Sequence, residues 1–336
     1  MGNKLPWISI IGKLVLWLVS TVSLTAGFCA EAQQLDKIPR IGFLQGLSPS
    51  ANTDRIEAFR QGLRDLGYAE GKNIAIEFRW ADGKVERLPA LAAELVRMKV
   101  NAIVTAGPTP TRAAKEATKT IPIIMAFDID PVGSGLVTSL ARPGGNLTGM
   151  STLAPEISGK HIELLKETIP GLSRVAALET STIPGSAQEL KEVELVARAL
   201  AVQILRLEVR DPKDIEIAFR TASKARAEAV LVGTSRILFS HRSQVANLAT
   251  KYRLPAMYIE QEFVLAGGLM TYAASIADLY RRAATYVDKI LKGAKPSELP
   301  IEQPTKFEFV INLKAAKQIG LTIPPNVLVR ADRVIR

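Results

Sequence analysis

Residues 102–131 read AIVTAGPTPTRAAKEATKTIPIIMAFDIDP, and this stretch decides the fold that the sequence predicts. It opens with a short apolar run, breaks at Gly107 and continues as a small-residue helix pattern over residues 111–119. A second apolar run follows over residues 121–127. This order predicts a strand, a turn, a helix and a second strand. In an open parallel sheet, ligands bind at the carboxyl ends of such strands.

The same unit recurs in residues 229–255. Residues 229–235 (AVLVGTS) match the first strand and its turn, and residues 245–251 resemble residues 113–119. Chance similarity between two ordinary strand–helix units is the alternative. We interpret the repeat as two related Rossmann-like α/β lobes with parallel sheets, joined by a multi-strand hinge that closes around a ligand.

The domain boundaries follow from where the pattern changes along the chain. Residues 131–151 are Gly-rich and irregular, and residues 276–291 form a long amphipathic pattern typical of a helix. We predict one lobe from residues 39–148 with 272–302, and a second lobe from residues 149–271 with 303–336.

Residues 1–32 have the pattern of a secretory signal peptide. A positively charged start precedes the apolar run LVLWLVSTVSLTA, residues 14–26, and residues 30–32 (AEA) supply a cleavage site. The run is short for a bilayer span, with an uncleaved anchor as the alternative. Lipidation of Cys29 is a further alternative, although the bulky Phe28 argues against it. We therefore predict an exported, periplasmic protein.

Composition excludes several classes of protein. The chain has 336 residues, of which 47% are hydrophobic, so a packed core needs no covalent cross-links. Its single cysteine excludes an intrachain disulfide framework and a cysteine-based zinc site. The net charge of +10 is scattered, without a basic block, which argues against a nucleic-acid partner.

Strand ends supply the candidate ligand-binding residues. Gly107 and Thr109 open a predicted helix, where free amides and hydroxyls suit a carboxylate. Gly233 and Thr234 hold the equivalent place in the second copy. Ordinary helix capping is the alternative for both turns.

Four further residues are candidates by position. Gln45 and Ser48 follow the first strand, while Asp130 and Glu260 follow two later ones. Either carboxylate could pair with a ligand ammonium, and Asp130 could equally cap its own turn. The side chains that could form an aromatic wall, or pack in the core, are Trp80, Phe239 and Tyr272.

Signals of catalysis are weak. The sequence has no GxGxxG after a strand, no nucleophile elbow and no P-loop. His161 and His241 lie in predicted helices without a metal-binding partner at helical spacing, so we treat both as ordinary helix residues. We expect no catalytic residues, no metal and no cofactor.

Several motifs resemble one known family. They are LGY (66–68) with EGKN (70–73), IPI (121–123), DPV (130–132) with GLV (135–137), and SLARPGGN (139–146) running into TG (148–149). The chain resembles, over residues 39–330, the substrate-binding proteins of ABC transporters, in the group of tryptophan- and tyrosine-type receptors with the type I periplasmic-binding-protein fold.

The resemblance implies a monomeric receptor that captures a small molecule, such as an amino acid, between two lobes. It implies delivery of this solute to an ABC permease in the inner membrane. A ligand sensor that presents its bound form to a membrane signalling protein is the alternative, and an exported α/β enzyme is a weaker one. The ligand-binding residues implied by fold position are Gln45, Ser48, Gly107, Thr109, Asp130, Gly233, Thr234 and Glu260.

Overall fold

The computed structural model describes residues 38–152, 154–183, 186–305 and 307–336. The predicted signal peptide and Cys29 lie outside the described residues. Within the described ranges, no helix is long and apolar enough to cross a membrane.

Strands and helices alternate through the first half of the chain, as the apolar runs predict. The elements are β1 (Arg40–Gln45), α1 (Thr53–Asp65), β2 (Ala75–Trp80), α2 (Leu88–Arg97), β3 (Ala102–Ala106), α3 (Pro108–Ala117), β4 (Ile123–Phe127) and β5 (Leu147–Gly149). The five strands form one sheet in the order β2-β1-β3-β4-β5, and every pairing is parallel. We call this sheet and the helices packed on it the first lobe.

The second half begins with the same alternation. Its elements are α4 (Ala154–Thr168), β6 (Arg174–Glu179), α5 (Ser186–Ala199), β7 (Gln203–Glu208), α6 (Pro212–Lys224), β8 (Ala229–Val232), α7 (Arg236–Ser240), α8 (Arg242–Lys251), β9 (Ala256–Tyr258), α9 (Gln261–Leu265) and β10 (Met270–Ala274). The elements that follow are α10 (Ile276–Leu291), β11 (Phe307–Asn312), α11 (Leu313–Ile319), α12 (Pro325–Leu328) and β12 (Arg333–Ile335).

A seven-stranded sheet in the order β12-β11-β10-β9-β8-β6-β7 carries the second lobe. Strands β6 to β10 pair in parallel, but β11 is antiparallel to β10, so this sheet is mixed rather than wholly parallel. The predicted lobe boundary at residue 272 falls inside β10, and the predicted residue ranges of the two lobes remain a prediction.

Helix α10 returns the chain to the first lobe, where it packs against α1. Its apolar stripe includes Leu279, Ala283 and Val287, all fully or almost fully buried. The two helices approach so closely at Gly62 that a Cβ there would lie 2.3 Å from the carbonyl oxygen of Arg281. Any larger residue at position 62 would push the helices apart.

The chain passes between the lobes three times: after β5, between β10 and α10, and before β11. The first and third crossings pair with each other through a parallel bridge between Met150 and Glu302. The amide of Ser151 donates to the carbonyl of Glu302 at 2.9 Å, and the amide of Glu302 donates to that of Gly149 at 2.9 Å. These crossings form the joint between the lobes.

Candidate functional site

A cavity lies between the two lobes at the carboxyl ends of their strands. It encloses about 520 Å³, including space continuous with solvent. The turns after β1, β3 and β4 line it from the first lobe, and those after β6, β8 and β9 from the second. We call it the first chamber. Its polar and aromatic lining residues are Gln45, Asn52, Arg55, Phe127, Thr234, Ser235, Arg236, Phe239, Glu260 and Tyr280.

Four of the eight predicted ligand-binding residues line this chamber: Gln45, Gly107, Thr234 and Glu260. The Gln45 side-chain amide donates to the hydroxyl of Tyr280 at 2.8 Å, which holds both side chains in the wall. The Thr234 hydroxyl donates to Glu189 at 2.8 Å. Direct ligand contact by these residues remains a prediction.

The other four predicted residues do not line the chamber. The Ser48 hydroxyl lies 3.1 Å from that of Ser50 in a surface turn. The Asp130 carboxylate accepts from the amide of Gly133 at 2.8 Å, which favours the turn-capping alternative. The Gly233 amide donates to the carbonyl of Leu178 at 2.9 Å.

The start of α3 offers few free amide donors. Pro108 and Pro110 have no N–H, so Thr109 supplies the one amide among the first three helical residues. The Thr111 hydroxyl, also in the first turn, is fully buried and donates to the carbonyl of Gly107 at 2.9 Å. The Thr109 hydroxyl accepts from the guanidinium of Arg236 at 2.9 Å. The positive charge at this turn therefore comes from Arg236.

Arg236 is a cation in the cleft that the sequence patterns did not predict. It begins α7 in the second lobe and reaches across the cleft to Thr109 in the first. No carboxylate of the described residues lies within 4.0 Å of its guanidinium, and burial lowers its pKa. A half-buried cation without a counter-charge is a natural partner for a ligand carboxylate.

Arg55, in the first turn of α1, joins the lobes through two carboxylates. Its guanidinium pairs with Glu260 and lies 2.7 Å from Glu262, both from the start of α9. It also lies 4.2 Å from the ring centroid of Phe239. Burial alone would lower the pKa of Arg55, but the two carboxylates outweigh it and raise the pKa. Because these contacts cross the cleft, the structure shows the lobes closed on each other.

A second chamber of about 460 Å³, including solvent-continuous space, adjoins the first. The two share Phe127, Ile129, Thr234 and Glu260 in their walls. The remaining residues of the second chamber are Thr152, Ile157, Ser158, His161, Glu189, Ile259, Ala274 and Ile276. The cleft is thus a two-part cavity with a cationic part at Arg236 and an acidic part at Glu189 and Glu260.

Residues 40–335 match the family described as ABC transporter substrate binding protein. The chain belongs to this family. Its resemblance to these binding proteins, predicted from the motifs, is confirmed, as is the two-lobed α/β fold. Substrate-binding proteins of ABC transporters work outside the cytoplasm, and the family implies a small-molecule ligand and a transporter partner.

Similar proteins are known from several bacteria. The tyrosine-binding protein of Clostridioides difficile (strain R20291) is 25% identical over 265 residues, which are 79% of this chain and 76% of that protein. The ABC domain in complex with L-Trp from Streptococcus pneumonia is 27% identical with a TM-score of 0.82, covering 88% of this chain and 99% of that one. A conserved domain protein from Vibrio cholerae is 26% identical with a TM-score of 0.84, covering 89% and 100%.

Of the aromatic candidates in this family member, only Phe239 lines the cleft between the lobes. Trp80 stacks on Phe78 with ring centroids 5.4 Å apart. Tyr272 stacks on Phe307 at 5.7 Å. The aromatic wall comes instead from Phe127, Phe239 and Tyr280, which the chain brings from three separate elements.

Burial raises the pKa of two carboxyl groups of this binding protein, Glu189 and Asp128, so both hold their protons at higher pH than usual. Burial raises the pKa of Glu189 to about 7, although Thr234 opposes the shift. Burial also raises the pKa of Asp128 to about 7. The rise in pKa is opposed by nearby donors, which are the amides of Ile129 and Asp130 and the hydroxyl of Thr111. None of these donors forms a well-aligned hydrogen bond with either carboxylate oxygen of Asp128. Asp128 lines neither chamber and is not a ligand contact in this arrangement.

Glu189→Gln is expected to flatten the pH dependence of stability. The folded protein keeps the Glu189 proton up to a pKa of about 7, whereas the unfolded chain releases it near 4.5. The folded state therefore binds more protons in this range, and raising the pH across it destabilises the fold by up to about 3 kcal/mol. Glutamine stays neutral at every pH. The free energy of unfolding of the variant should therefore rise relative to that of the wild type as the pH increases from 4.5 to 7.

Urea unfolding of the ligand-free protein across this pH range measures the effect. The matched control is Glu194→Gln, since Glu194 lies on the same helix but is partly exposed. Parallel curves for Glu189→Gln and wild type would show that Glu189 titrates normally. Taking the difference between variant and wild type cancels the contributions of Asp128 and of His161, whose pKa burial lowers to about 4.

Proposed function

We propose that the chain is an exported receptor that binds an amino acid in the cleft and delivers it to an ABC importer. One observation supports this most strongly: Arg236 and Glu260 face the same closed cavity with opposite charges. An amino acid zwitterion carries the complementary pair of charges, close together on one carbon. A neutral sugar would leave the Arg236 charge without a partner.

Arg236 and the turn at Thr109 form the proposed carboxylate site. The guanidinium is planar with five N–H donors, and Thr109 uses one of them. The remaining donors of Arg236 can bind both oxygens of a carboxylate. Such charge-assisted bonds are stronger than neutral ones, and more so in a buried cavity.

Glu260 forms the proposed ammonium site. Its carboxylate pairs with Arg55, but a carboxylate offers about four acceptor positions, so a ligand N–H can bind beside the arginine. Burial raises the pKa of Glu260, and Arg55 opposes this rise. A bound ammonium would add a second positive charge that favours the ionised carboxylate.

The relatives support the same ligand class. One similar protein is named for tyrosine binding, and one similar structure contains L-Trp. We propose that this chain also binds an amino acid, acts as a monomer in the periplasm after removal of residues 1–32, and meets a permease in the inner membrane. Copurification of the closed receptor with that permease, rather than with a signalling protein, would support transport over sensing.

A thermal-shift screen of amino acids tests the ligand class. A ligand at 100 times its Kd stabilises the folded state by about 2.7 kcal/mol, so Tm should rise by several degrees. The matched controls are the amide and the decarboxylated amine of each hit, which should give no shift because each lacks the carboxylate. Mass spectrometry of solutes released from the purified protein provides an independent measurement. An equal shift with the amine would contradict the carboxylate site.

A further inference from the structure

His161, which lines the second chamber, has a ring nitrogen that accepts no hydrogen bond. The His161 ring lies on α4, is 1% exposed and lines this chamber. Its Nε2 lies 2.7 Å from the carbonyl oxygen of Tyr272. A carbonyl can only accept, so Nε2 carries the proton and Nδ1 presents a lone pair. Among the residues that the structure describes, nothing donates to Nδ1.

His161 stays neutral at physiological pH. Burial lowers its pKa to about 4, with the Tyr272 carbonyl opposing the shift. The ring therefore cannot turn Nδ1 into a donor by binding a second proton. A buried acceptor of this kind is unfavourable until a donor reaches it.

Thr152 adds a second unpaired group to the same wall. Its side chain is 8% exposed, and its hydroxyl has no hydrogen-bond partner in the described part of the chain. Apart from Ser158, Glu189, Thr234 and Glu260, the rest of the wall is apolar. The apolar residues are Phe127, Ile129, Ile157, Ile259, Ala274 and Ile276. This combination suits a group with an apolar body and a polar tip.

The carboxylate of an amino acid does not fit the second chamber. The ionisable groups in its wall are Glu189, Glu260 and neutral His161, with no cation among the described lining residues. A carboxylate therefore belongs near Arg236 in the first chamber. The shared residues Thr234 and Glu260 then direct the rest of the ligand into the second chamber.

We propose that the second chamber binds the ligand side chain and selects side chains that end in an N–H or O–H donor, with His161 Nδ1 as the acceptor. This inference rests on the proposed amino acid receptor. It predicts a preference for amino acids such as tyrosine and tryptophan, whose rings carry an O–H or N–H donor. Phenylalanine has an aromatic ring but no such donor, so it should bind less tightly. His161 then determines specificity, a role that helix periodicity does not reveal.

Isothermal titration calorimetry with tyrosine and phenylalanine tests this selection. The wild-type protein should bind tyrosine with a Kd at least tenfold lower than phenylalanine, because phenylalanine leaves Nδ1 unpaired. His161→Gln keeps a donor near the Tyr272 carbonyl but removes the acceptor at the Nδ1 position, so the ratio of the two Kd values should fall to within about threefold. His161→Asn keeps an acceptor near the Nδ1 position and should preserve the preference. Tryptophan and 1-methyltryptophan form a second pair, differing in the indole N–H.

The outcomes separate this inference from the proposed function. Equal Kd values for tyrosine and phenylalanine in the wild-type protein would overturn the role of His161, even if a variant failed to fold. Preferred binding of leucine or another donor-free amino acid would also overturn it while leaving the amino acid receptor intact. Binding of no amino acid would overturn the proposed function and the inference together.

Discussion

Arg55→Met is expected to weaken ligand binding by about 100-fold. The Arg55 side chain is 5% exposed and holds Glu260 and Glu262 together across the cleft. Methionine would leave both partly buried carboxylates without their cation. Removing one partner of a buried ion pair costs about 3–5 kcal/mol, and 1.4 kcal/mol is tenfold in affinity. The molecule can avoid this cost by opening, which separates the carboxylates from the first lobe but also disassembles the site.

Calorimetry with the amino acid found in the thermal-shift screen measures the affinity, and small-angle X-ray scattering reports the opening. Arg64→Met is the matched control, because Arg64 lies on the same helix in an exposed pair with Glu57. Exposed pairs contribute about 0–1 kcal/mol, so this variant should bind normally. Adding Glu260→Gln and Glu262→Gln to Arg55→Met should restore closure, although not the ammonium site. An Arg55→Met protein that binds within threefold of wild type would show that the ion pair is dispensable.

Arg236→Gln is expected to reduce amino acid affinity by about 30-fold to 300-fold. The guanidinium has no carboxylate partner among the described residues, so its loss removes the one free cation that we place against the ligand. Truncating one partner of a buried charge pair typically costs about 2–5 kcal/mol, of which we expect the lower part because glutamine retains a donor.

Calorimetry with the ligand and with its carboxamide separates charge recognition from general damage. The carboxamide should bind weakly to wild type and lose little further affinity in Arg236→Gln, since it has no negative charge. Arg220→Gln, on the exposed surface of α6, should leave both affinities unchanged. Thr109→Val removes the hydroxyl that Arg236 contacts and should have a smaller effect than Arg236→Gln. Equal losses for ligand and carboxamide would contradict a carboxylate at Arg236.

Local pattern was enough to predict the architecture. The opening stretch forms β3, α3 and β4, and its second copy forms β8 to β9, because buried parallel strands require continuous apolar runs. The mixed sheet was not predicted, since antiparallel β11 and the edge strand β12 depend on pairing partners distant in sequence. Strand direction is set by such long-range contacts rather than by the composition of the strand itself.

The site was only half predictable for the same reason. Fold position predicted four residues that line the first chamber, Gln45, Gly107, Thr234 and Glu260, and their contact with a ligand remains a prediction. Arg55 resembled an ordinary helix cation, because its partners lie 205 and 207 residues away. The sequence gives one local indication that Arg55 is buried: it lies four residues before Phe59, on the same buried face of α1. His161 offered no signal, since burial of a lone histidine depends on what packs over it.

One of the motifs that resemble the family, SLARPGGN (139–146) running into TG (148–149), lies away from the cavity. Asn146 donates to the carbonyl of Ile121 at 2.8 Å and so fixes the turn into β5. Gly149 has a φ of 128°, and a Cβ there would lie 2.3 Å from the carbonyl oxygen of Met125. These residues build the joint, while Arg236 and His161 face the solute from other segments. Evolution can therefore change the cargo of such a receptor by altering cavity residues, without disturbing the sequence that makes the receptor recognisable.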